Sequence, residues 1–229
     1  MTMGIGIACD EGVVLLTDSM KATDHGPDKP TVVSLRSGFP WLICARVAIV
    51  ASGAFPEGLL DDLCTSLRHE PDPDVAASGM FTALVDAQRE AVAELSEWMP
   101  REEFEYRAGP PGLGPKLLCA GGPVGEVPTL MRFSPLGGCE HSAGPAVFTV
   151  GNFGNSYATQ HELELTTPPP TLKECEELAL SWARDATNEL YQGRMLSEFI
   201  ADGVIPGWTP PFHVVAMSAV SSATRVYYR

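Results

Sequence analysis

The chain has 229 residues and a formal net charge of −14, from 15 Lys and Arg against 29 Asp and Glu. Because this balance repels nucleic-acid phosphates and anionic lipids, neither is expected as a partner. No apolar run approaches the roughly eighteen residues of a membrane span, and no secretion signal is visible. We therefore expect a soluble, cytoplasmic protein with one domain over residues 1–229.

Six cysteines are spread along the chain without a CxxC pair, which predicts reduced core thiols rather than a disulfide framework. Cys9 could be imagined as a nucleophile, but its place in an apolar strand favours a core role. Cys139-Glu140-His141 brings three ligand-type residues together. Adjacent strand residues point to opposite faces, however, so the sequence predicts no metal site and no cofactor.

The first nineteen residues predict a β-hairpin. From Met3 to Cys9, large side chains at odd positions alternate with glycine and alanine, which gives a strand one bulky and one slim face. Asp10-Glu11-Gly12 has turn chemistry, with Gly12 able to take a positive φ. Val13 to Leu16 is a continuous apolar run, typical of a strand buried on both faces.

A three-residue turn at positions 10 to 12 would pair Cys9 with Val13. Thr2 and Asp18 would then share a face as diagonal neighbours, about 7 to 8 Å apart. A Met before a small residue is normally removed during synthesis, so Thr2 is expected to carry a free α-amine. Such an amine titrates at roughly pH 7.7 to 8.0 and can take the hydroxyl proton. One residue would supply both nucleophile and base.

Further along, strands alternate with amphipathic helices. The capping box Thr171-Leu172-Lys173-Glu174 predicts the start of a long helix, whose buried stripe runs from Cys175 to Leu190. A first helix is predicted at about 56–68, and a second ends at Pro100. Strands are predicted at 31–35, 41–45, 47–51, 116–120, 129–133, 146–150, 212–218 and 224–228.

Strand groups separated by helix groups predict an α+β fold, a four-layer α-β-β-α sandwich, because each sheet buries one face on the other and the second on helices. Thr2, the turn Asp10-Glu11-Gly12-Val13-Val14 and Thr17-Asp18-Ser19 resemble the opening of a proteasome β-type subunit, an N-terminal-nucleophile hydrolase. The start at Met-Thr is most similar to the bacterial proteasome-like ancestral β-subunit group. The same order of elements is implied over nearly the whole chain.

The resemblance implies further site residues. Gly53, after Ser52, stands where the family has a backbone N–H that holds the oxyanion, and a plain strand-ending turn is the alternative. The family's essential lysine aligns with Thr31. Lys29, two residues earlier and on the same face by strand parity, is the candidate for that role, against a solvated loop lysine.

Three supporting positions also differ from the family pattern. The family's Gly-Ser-Gly resembles Gly151-Asn152-Phe153-Gly154, so Asn152 replaces its serine. Its aspartate after the long helix corresponds to Glu189, and the following serine to Gln192. Each replacement keeps a polar group but changes its reach by about a bond, and catalysis by proximity is sensitive to errors near 1 Å.

Two functions follow from these residues and the resemblance. The first is a threonine-type hydrolase that cleaves peptide or amide bonds, with Thr2 and Asp18 in the site. The second is a catalytically inactive subunit that acts as a ring or scaffold component, favoured by the missing lysine. In either case the resemblance implies homo-oligomeric rings or stacks. It also brings in a peptide or protein substrate and an unfoldase as partners, none of which the residues identify.

Overall fold

Ten strands and one long helix are described in the computed structural model. The structure describes residues 4–18, 41–44, 46–52, 65, 82, 85–86, 89–90, 93, 96–97, 100, 116–134, 138–150, 170–191 and 211–228. The predicted strand at 31–35 lies outside these residues. Position 65 and the described positions from 82 to 97 are helical, in agreement with the first and second predicted helices.

The described strands form two antiparallel sheets of five strands each. The strands are β1 (Gly4–Cys9), β2 (Gly12–Asp18), β3 (Trp41–Cys44), β4 (Val47–Ser52), β5 (Lys116–Gly121), β6 (Thr129–Ser134), β7 (Gly138–His141), β8 (Ala146–Val150), β9 (Phe212–Ser218) and β10 (Ser222–Tyr227). The first sheet has the order β10-β9-β2-β1-β8 and the second the order β3-β4-β5-β6-β7. The predicted α+β class is confirmed. The structure adds β7 to the predicted strands, and Cys139 to His141 lie in it, in agreement with the strand geometry used above to argue against a metal site.

Helix α1 (Leu172–Tyr191) covers the outer face of the first sheet. Its start is the predicted capping box: the Thr171 N–H donates to Glu174 Oε2 at 2.8 Å, and the Glu174 N–H donates to Thr171 Oγ1 at 3.3 Å. The Leu172 N–H donates to the Glu11 carboxylate at 2.8 Å, which ties the helix start to the β1–β2 turn. The buried stripe of α1 comprises Cys175, Ala179, Leu180, Ala183 and Ala186.

The turn between β1 and β2 is one residue shorter than predicted. Cys9 pairs with Gly12, so Asp10 and Glu11 alone form the turn. The predicted pairing of Cys9 with Val13 was wrong, and with it fails the derivation that placed Thr2 and Asp18 on one face. A two-residue loop is the commonest connection of a β-hairpin, because its twist matches that of the strands.

Gly12 also has a different role from the one predicted. Among the described glycines Gly125 takes a positive φ, of 88°, whereas Gly12 lies within β2. A Cβ built at Gly12 would lie 2.0 Å from the Met217 carbonyl oxygen of β9. The glycine is therefore required by the close approach of two strands.

The two sheets pack directly against each other through the slim face of β1. A Cβ at Gly4 would lie 2.7 Å from Val50 Cγ1, and one at Gly6 would lie 2.7 Å from Leu130 Cδ1. We call the faces that meet the inner faces and the space between them the gap. The inner core comprises Ala8, Val13, Leu15, Ala48, Val50, Leu118, Ala120, Leu130, Val150, Val215 and Met217.

Candidate functional site

Several strands begin or end together at one end of the sandwich. Gly4, the first residue of β1, pairs with Thr17 near the end of β2 and with Val150 at the end of β8. In the second sheet, Ser52 at the end of β4 pairs with Lys116 at the start of β5. These strand ends lie at the same end of the gap, as the contacts between the sheets show.

Residues paired across the strands of the second sheet form rows. Gly6 faces Leu130, and Gly4 faces Val50, which lies in the next row that points into the gap. The next row in the same direction is that of Ser52 and Lys116. We call this end, where β1 begins, the upper end, and the end where β1 finishes the lower end.

Among the described residues, four buried polar residues belong to the inner faces at the upper end. Thr17 is 0% exposed, Ser52 and Lys116 are each 4% exposed, and His213 is 7% exposed. Thr17 pairs with His213 across β2 and β9. By the strand alternation that puts Leu15, Val215, Val50 and Leu118 in the inner core, all four belong to the inner faces. The upper end of the gap is therefore polar, in contrast to the apolar core beneath it.

Lys116 is the buried cation of this group. Burial lowers the pKa of its ammonium group, and the nearby positive charge of Arg132 lowers the pKa further. Arg132, on β6, lies over the Phe148 ring at 5.2 Å from its centroid and donates to Glu140 Oε2 at 2.7 Å. Lys116 has at least one further polar or electrostatic partner.

His213 contributes a second ionisable group to the upper end. Burial lowers the pKa of its imidazole, which favours the neutral ring at pH 7. His213 also has at least one further hydrogen bond, ring contact or electrostatic interaction. A neutral histidine leaves Lys116 and Arg132 as the positive charges that the described residues bring to this part of the gap.

The predicted site residues stand in different relations to the upper end. Asp18 ends β2, and its backbone pairs with Phe212 at this end. Thr2, Gly53 and Asn152 lie outside the described residues, but each is within two positions of a strand end located there: Gly4, Ser52 or Val150. Their predicted roles remain predictions.

The structure says less about the positions of the other two predicted residues, Lys29 and Glu189. Lys29 lies outside the described residues and has no neighbouring described strand end. Glu189 belongs to the last turn of α1, where the structure describes the backbone. Because α1 starts at the lower end beside Glu11, its last turn is carried away from that end.

Sequence reasoning missed Thr17, His213 and Lys116 as members of one polar group. A signal was present for Lys116, a charged residue that opens the otherwise apolar strand Lys-Leu-Leu-Cys-Ala-Gly. What the sequence does not contain is the pairing with Ser52, 64 positions earlier along the chain (116 − 52), or the close approach of β1. The group is assembled by contacts between strands that are far apart in sequence.

The cysteines form a separate feature at the lower end. Cys9 and Cys175 are buried free thiols, as predicted, and Cys175 Sγ donates to the Pro170 carbonyl oxygen at 3.9 Å. The neighbouring Cys175 thiol and the backbone N–H groups of Glu11 and Gly12 lower the pKa of Cys9 to about 6 against the effect of burial, and the Cys9 thiol raises the pKa of Cys175. The pair lies beneath the start of α1, at the end of β1 opposite to Thr2.

The run from Cys139 to His141 does not form a three-ligand cluster. Cys139 Sγ lies 3.3 Å from His141 Nε2, whereas Glu140 pairs with Arg132. In the described ranges, no group of three or more His, Cys, Asp or Glu side chains is arranged to hold a metal ion. Within those same residues, no helix is both long and apolar enough to cross a membrane.

Comparisons with known proteins identify the fold. No protein-family model matches the sequence, and no curated protein matches it. Among solved structures, Anbu from Hyphomicrobium sp. strain MC1 superposes with a TM-score of 0.60 at 16% identity, over 99% of this chain and 87% of that chain. Anbu, described as the ancestral beta-subunit, from Yersinia bercovieri gives a TM-score of 0.57 at 15% identity, with the same coverage of 99% and 87%.

A third solved structure is the helical assembly of the Anbu complex from Pseudomonas aeruginosa. It gives a TM-score of 0.59 at 16% identity, over 99% of this chain and 87% of that chain. At identities this low, the likeness establishes the shared fold. The chain has the fold of these bacterial β-subunit proteins over almost its whole length.

Proposed function

We propose that this chain is a proteasome-like, threonine-type N-terminal-nucleophile hydrolase that cleaves peptide or amide bonds at the upper end of the gap. The observation that carries the proposal is the buried polar group of Thr17, Ser52, Lys116 and His213 between two sheets with the Anbu fold. Buried polar and ionisable groups gathered at one end of an otherwise apolar core mark a functional site.

In the proposed reaction, Thr2 Oγ attacks the substrate carbonyl carbon while the α-amine of Thr2 takes the hydroxyl proton. The Gly53 N–H donates to the oxyanion of the tetrahedral intermediate. The intermediate collapses, the protonated amine passes its proton to the leaving amine, and an ester to Thr2 remains. Water activated by the same amine hydrolyses that ester and restores the free hydroxyl.

Other residues are proposed to support this reaction. Asp18 and Lys29 set the electrostatic field around the nucleophile, as the resemblance implies. Asn152 and Glu189 hold the polar surroundings in place of the family's serine and aspartate. The observed register pairs Asp18 with Phe212, a residue of the core beneath α1, so it does not support a shared face for Thr2 and Asp18, and the role of Asp18 rests on the resemblance alone.

The architecture and assembly are proposed to follow the same family. We propose a single domain over 1–229 with a fourth, helical layer over the second sheet, whose outer face is buried at Ile49, Leu117 and Cys119. The helical assembly of the P. aeruginosa Anbu complex supports a homo-oligomeric ring or stack for this chain. A cytoplasmic location, a peptide or protein substrate and an unfoldase partner complete the proposal.

The proposal is tested at the N-terminus. The intact mass of the purified protein should show that Met1 has been removed. A peptide epoxyketone or β-lactone should then add one probe mass, located on the peptide that begins with Thr2. The T2A variant is the matched control and should add none, whereas T2S should react, because serine retains both the hydroxyl and the amine.

A second candidate function is a catalytically inactive ring or scaffold subunit. The observation that favours it is Thr31 at the position aligned with the family's lysine. If the Met-free protein resists both probes and still assembles into large particles by light scattering, this second function replaces the first.

A further inference from the structure

We infer that Lys116 is a positioning residue of the proposed reaction, which supplies from the second sheet the positive charge that acts on the amine and hydroxyl of Thr2. This inference rests on the proposed function and adds to it a residue that the resemblance does not provide. Lys116 would supply the buried cation that the aligned position lacks, since that position holds Thr31.

The position of Lys116 carries the inference. Lys116 pairs with Ser52, the residue that precedes the proposed oxyanion donor Gly53. Both belong to the inner face of the second sheet, one row beyond the contact of Gly4 with Val50. Thr2 precedes Gly4, the first residue of β1, by two positions. Lys116 therefore lies at the end of the gap where β1 begins.

The burial of Lys116 argues for a role beyond packing. Removing an ammonium group from water is costly, and an apolar side chain of similar volume often fills such a position with equal or greater stability. Every other residue of β5 is apolar or glycine, so the strand would be complete with methionine at position 116. The lysine therefore contributes its charge or its hydrogen-bond donors.

Several charged groups surround this position and set its electrostatics. From β6, Arg132 adds a second positive charge, which is offset by Glu140 of β7. From β9, His213 faces the gap and is favoured in its neutral form. Asp18 at the end of β2 is proposed to supply the negative charge. With Arg132 offset by Glu140 and His213 favoured in its neutral form, Lys116 is the positive charge that remains within this group of side chains.

A positive charge beside Thr2 has two consequences. It disfavours the protonated α-amine, so its pKa falls and more of the amine is free to act as a base at neutral pH. It also stabilises the negative charge that develops on the hydroxyl and on the oxyanion. Lys116 keeps its proton throughout, and the proton of the hydroxyl still passes to the amine and then to the leaving group.

The test compares K116M, K116R and the control K173M, which changes an exposed lysine of α1 whose side chain is 84% exposed. We expect K116M to lower kcat/KM by about 10- to 100-fold. The acid limb of its pH profile should move up by about one pH unit, because loss of a neighbouring positive charge raises the pKa of the amine. K116R should restore part of both, and K173M should match the wild type.

A second measurement does not require hydrolysis. The pKa of the N-terminal amine is read from its rate of acetylation as a function of pH, followed by mass spectrometry of the N-terminal peptide. We expect a higher pKa in K116M than in the wild type and in K173M.

An unchanged amine pKa in a folded K116M, with unchanged probe labelling, would overturn the role of Lys116 and leave the hydrolase proposal intact. If the wild type is not labelled, the hydrolase proposal fails and the inference fails with it. In that case the acetylation measurement shows only whether Lys116 changes the pKa of the N-terminal amine.

Discussion

The two ends of the gap each contain a buried basic residue, but the two residues are held in different ways. At the lower end, Arg46 is 3% exposed and donates to the carbonyl oxygens of Gly122, Pro123, Glu126 and Ser218. At the upper end, Lys116 is 4% exposed and lies beside Ser52 among polar side chains. One cation is surrounded by backbone, and the other lies where strands end.

The difference follows from the chemistry of the two side chains. The guanidinium group has five N–H donors in a fixed plane and keeps its proton in proteins, so it suits a permanent link between carbonyl groups. Arg46 connects the β5–β6 loop of the second sheet to Ser218 at the end of β9 in the first. A lysine is a flexible point charge whose pKa responds to burial, which suits a site where charge acts on a reacting group.

The largest loss of stability is expected when the Arg46 side chain is removed from the lower end. R46M removes the donors of four buried or partly buried carbonyl groups on both sheets. We expect the free energy of unfolding to fall by about 3 to 5 kcal/mol, measured by urea denaturation. The control R89M changes an exposed arginine whose side chain is 77% exposed, and should shift stability by less than about 0.5 kcal/mol.

A smaller loss of stability is expected when a glycine at either end is replaced by alanine. In G12A the new Cβ would meet the Met217 carbonyl oxygen at 2.0 Å, so the backbone of β9 must shift. In G4A the atoms met at 2.7 and 2.8 Å are methyl groups of Val50 and Val150, which can give way more readily. We expect losses of about 2 to 3 kcal/mol for G12A and about 1 kcal/mol for G4A, by the same assay.

Gly144, around which the structure leaves open space, provides the control. G144A should stay within about 0.5 kcal/mol of the wild type. A G4A loss equal to that of G12A would contradict the expectation that the valine methyl groups give way more readily than the backbone of β9.

What the sequence predicts at the two ends depends on whether the contacts are local. The capping box at Thr171 and Glu174 is confirmed because its partners lie three residues apart. The slim face of β1 is visible in the alternation of glycine with large residues. The length of the β1–β2 turn is not, because Asp10-Glu11-Gly12 fits both a two- and a three-residue loop.

Non-local contacts account for what could not be predicted. The carbonyl partners of Arg46 in the β5–β6 loop lie 76 to 80 positions away, and Ser218 lies 172 away. No local sequence pattern indicates either this link or the burial of Lys116. Gly53 was proposed from the resemblance, and the geometric derivation for Thr2 and Asp18 assumed a turn one residue too long. The described residues add the strand ends near which these three positions lie.

The smallest expected effect is a pH dependence of stability at the upper end. Burial lowers the pKa of His213 below its ordinary value of 6.5, so the unfolded chain binds a proton in a range where the folded protein does not. The contribution of a neutral His213 is therefore complete above pH 6.5. It is lost as the pH falls from 6.5 through the lowered pKa, since protonation then favours unfolding.

Thermal unfolding measured from pH 7.5 to pH 5 should show this loss in the wild type and a shallower slope in H213Q, whose amide keeps a polar group without a titrating proton. The lower end supplies the internal reference: Arg46 does not titrate in this range, so R46M should change stability by the same amount at both pH values. Equal slopes in wild type and H213Q would mean that His213 takes up its proton in the folded state as readily as in the unfolded chain. The upper end would then be more accessible to water and ions than its buried side chains indicate.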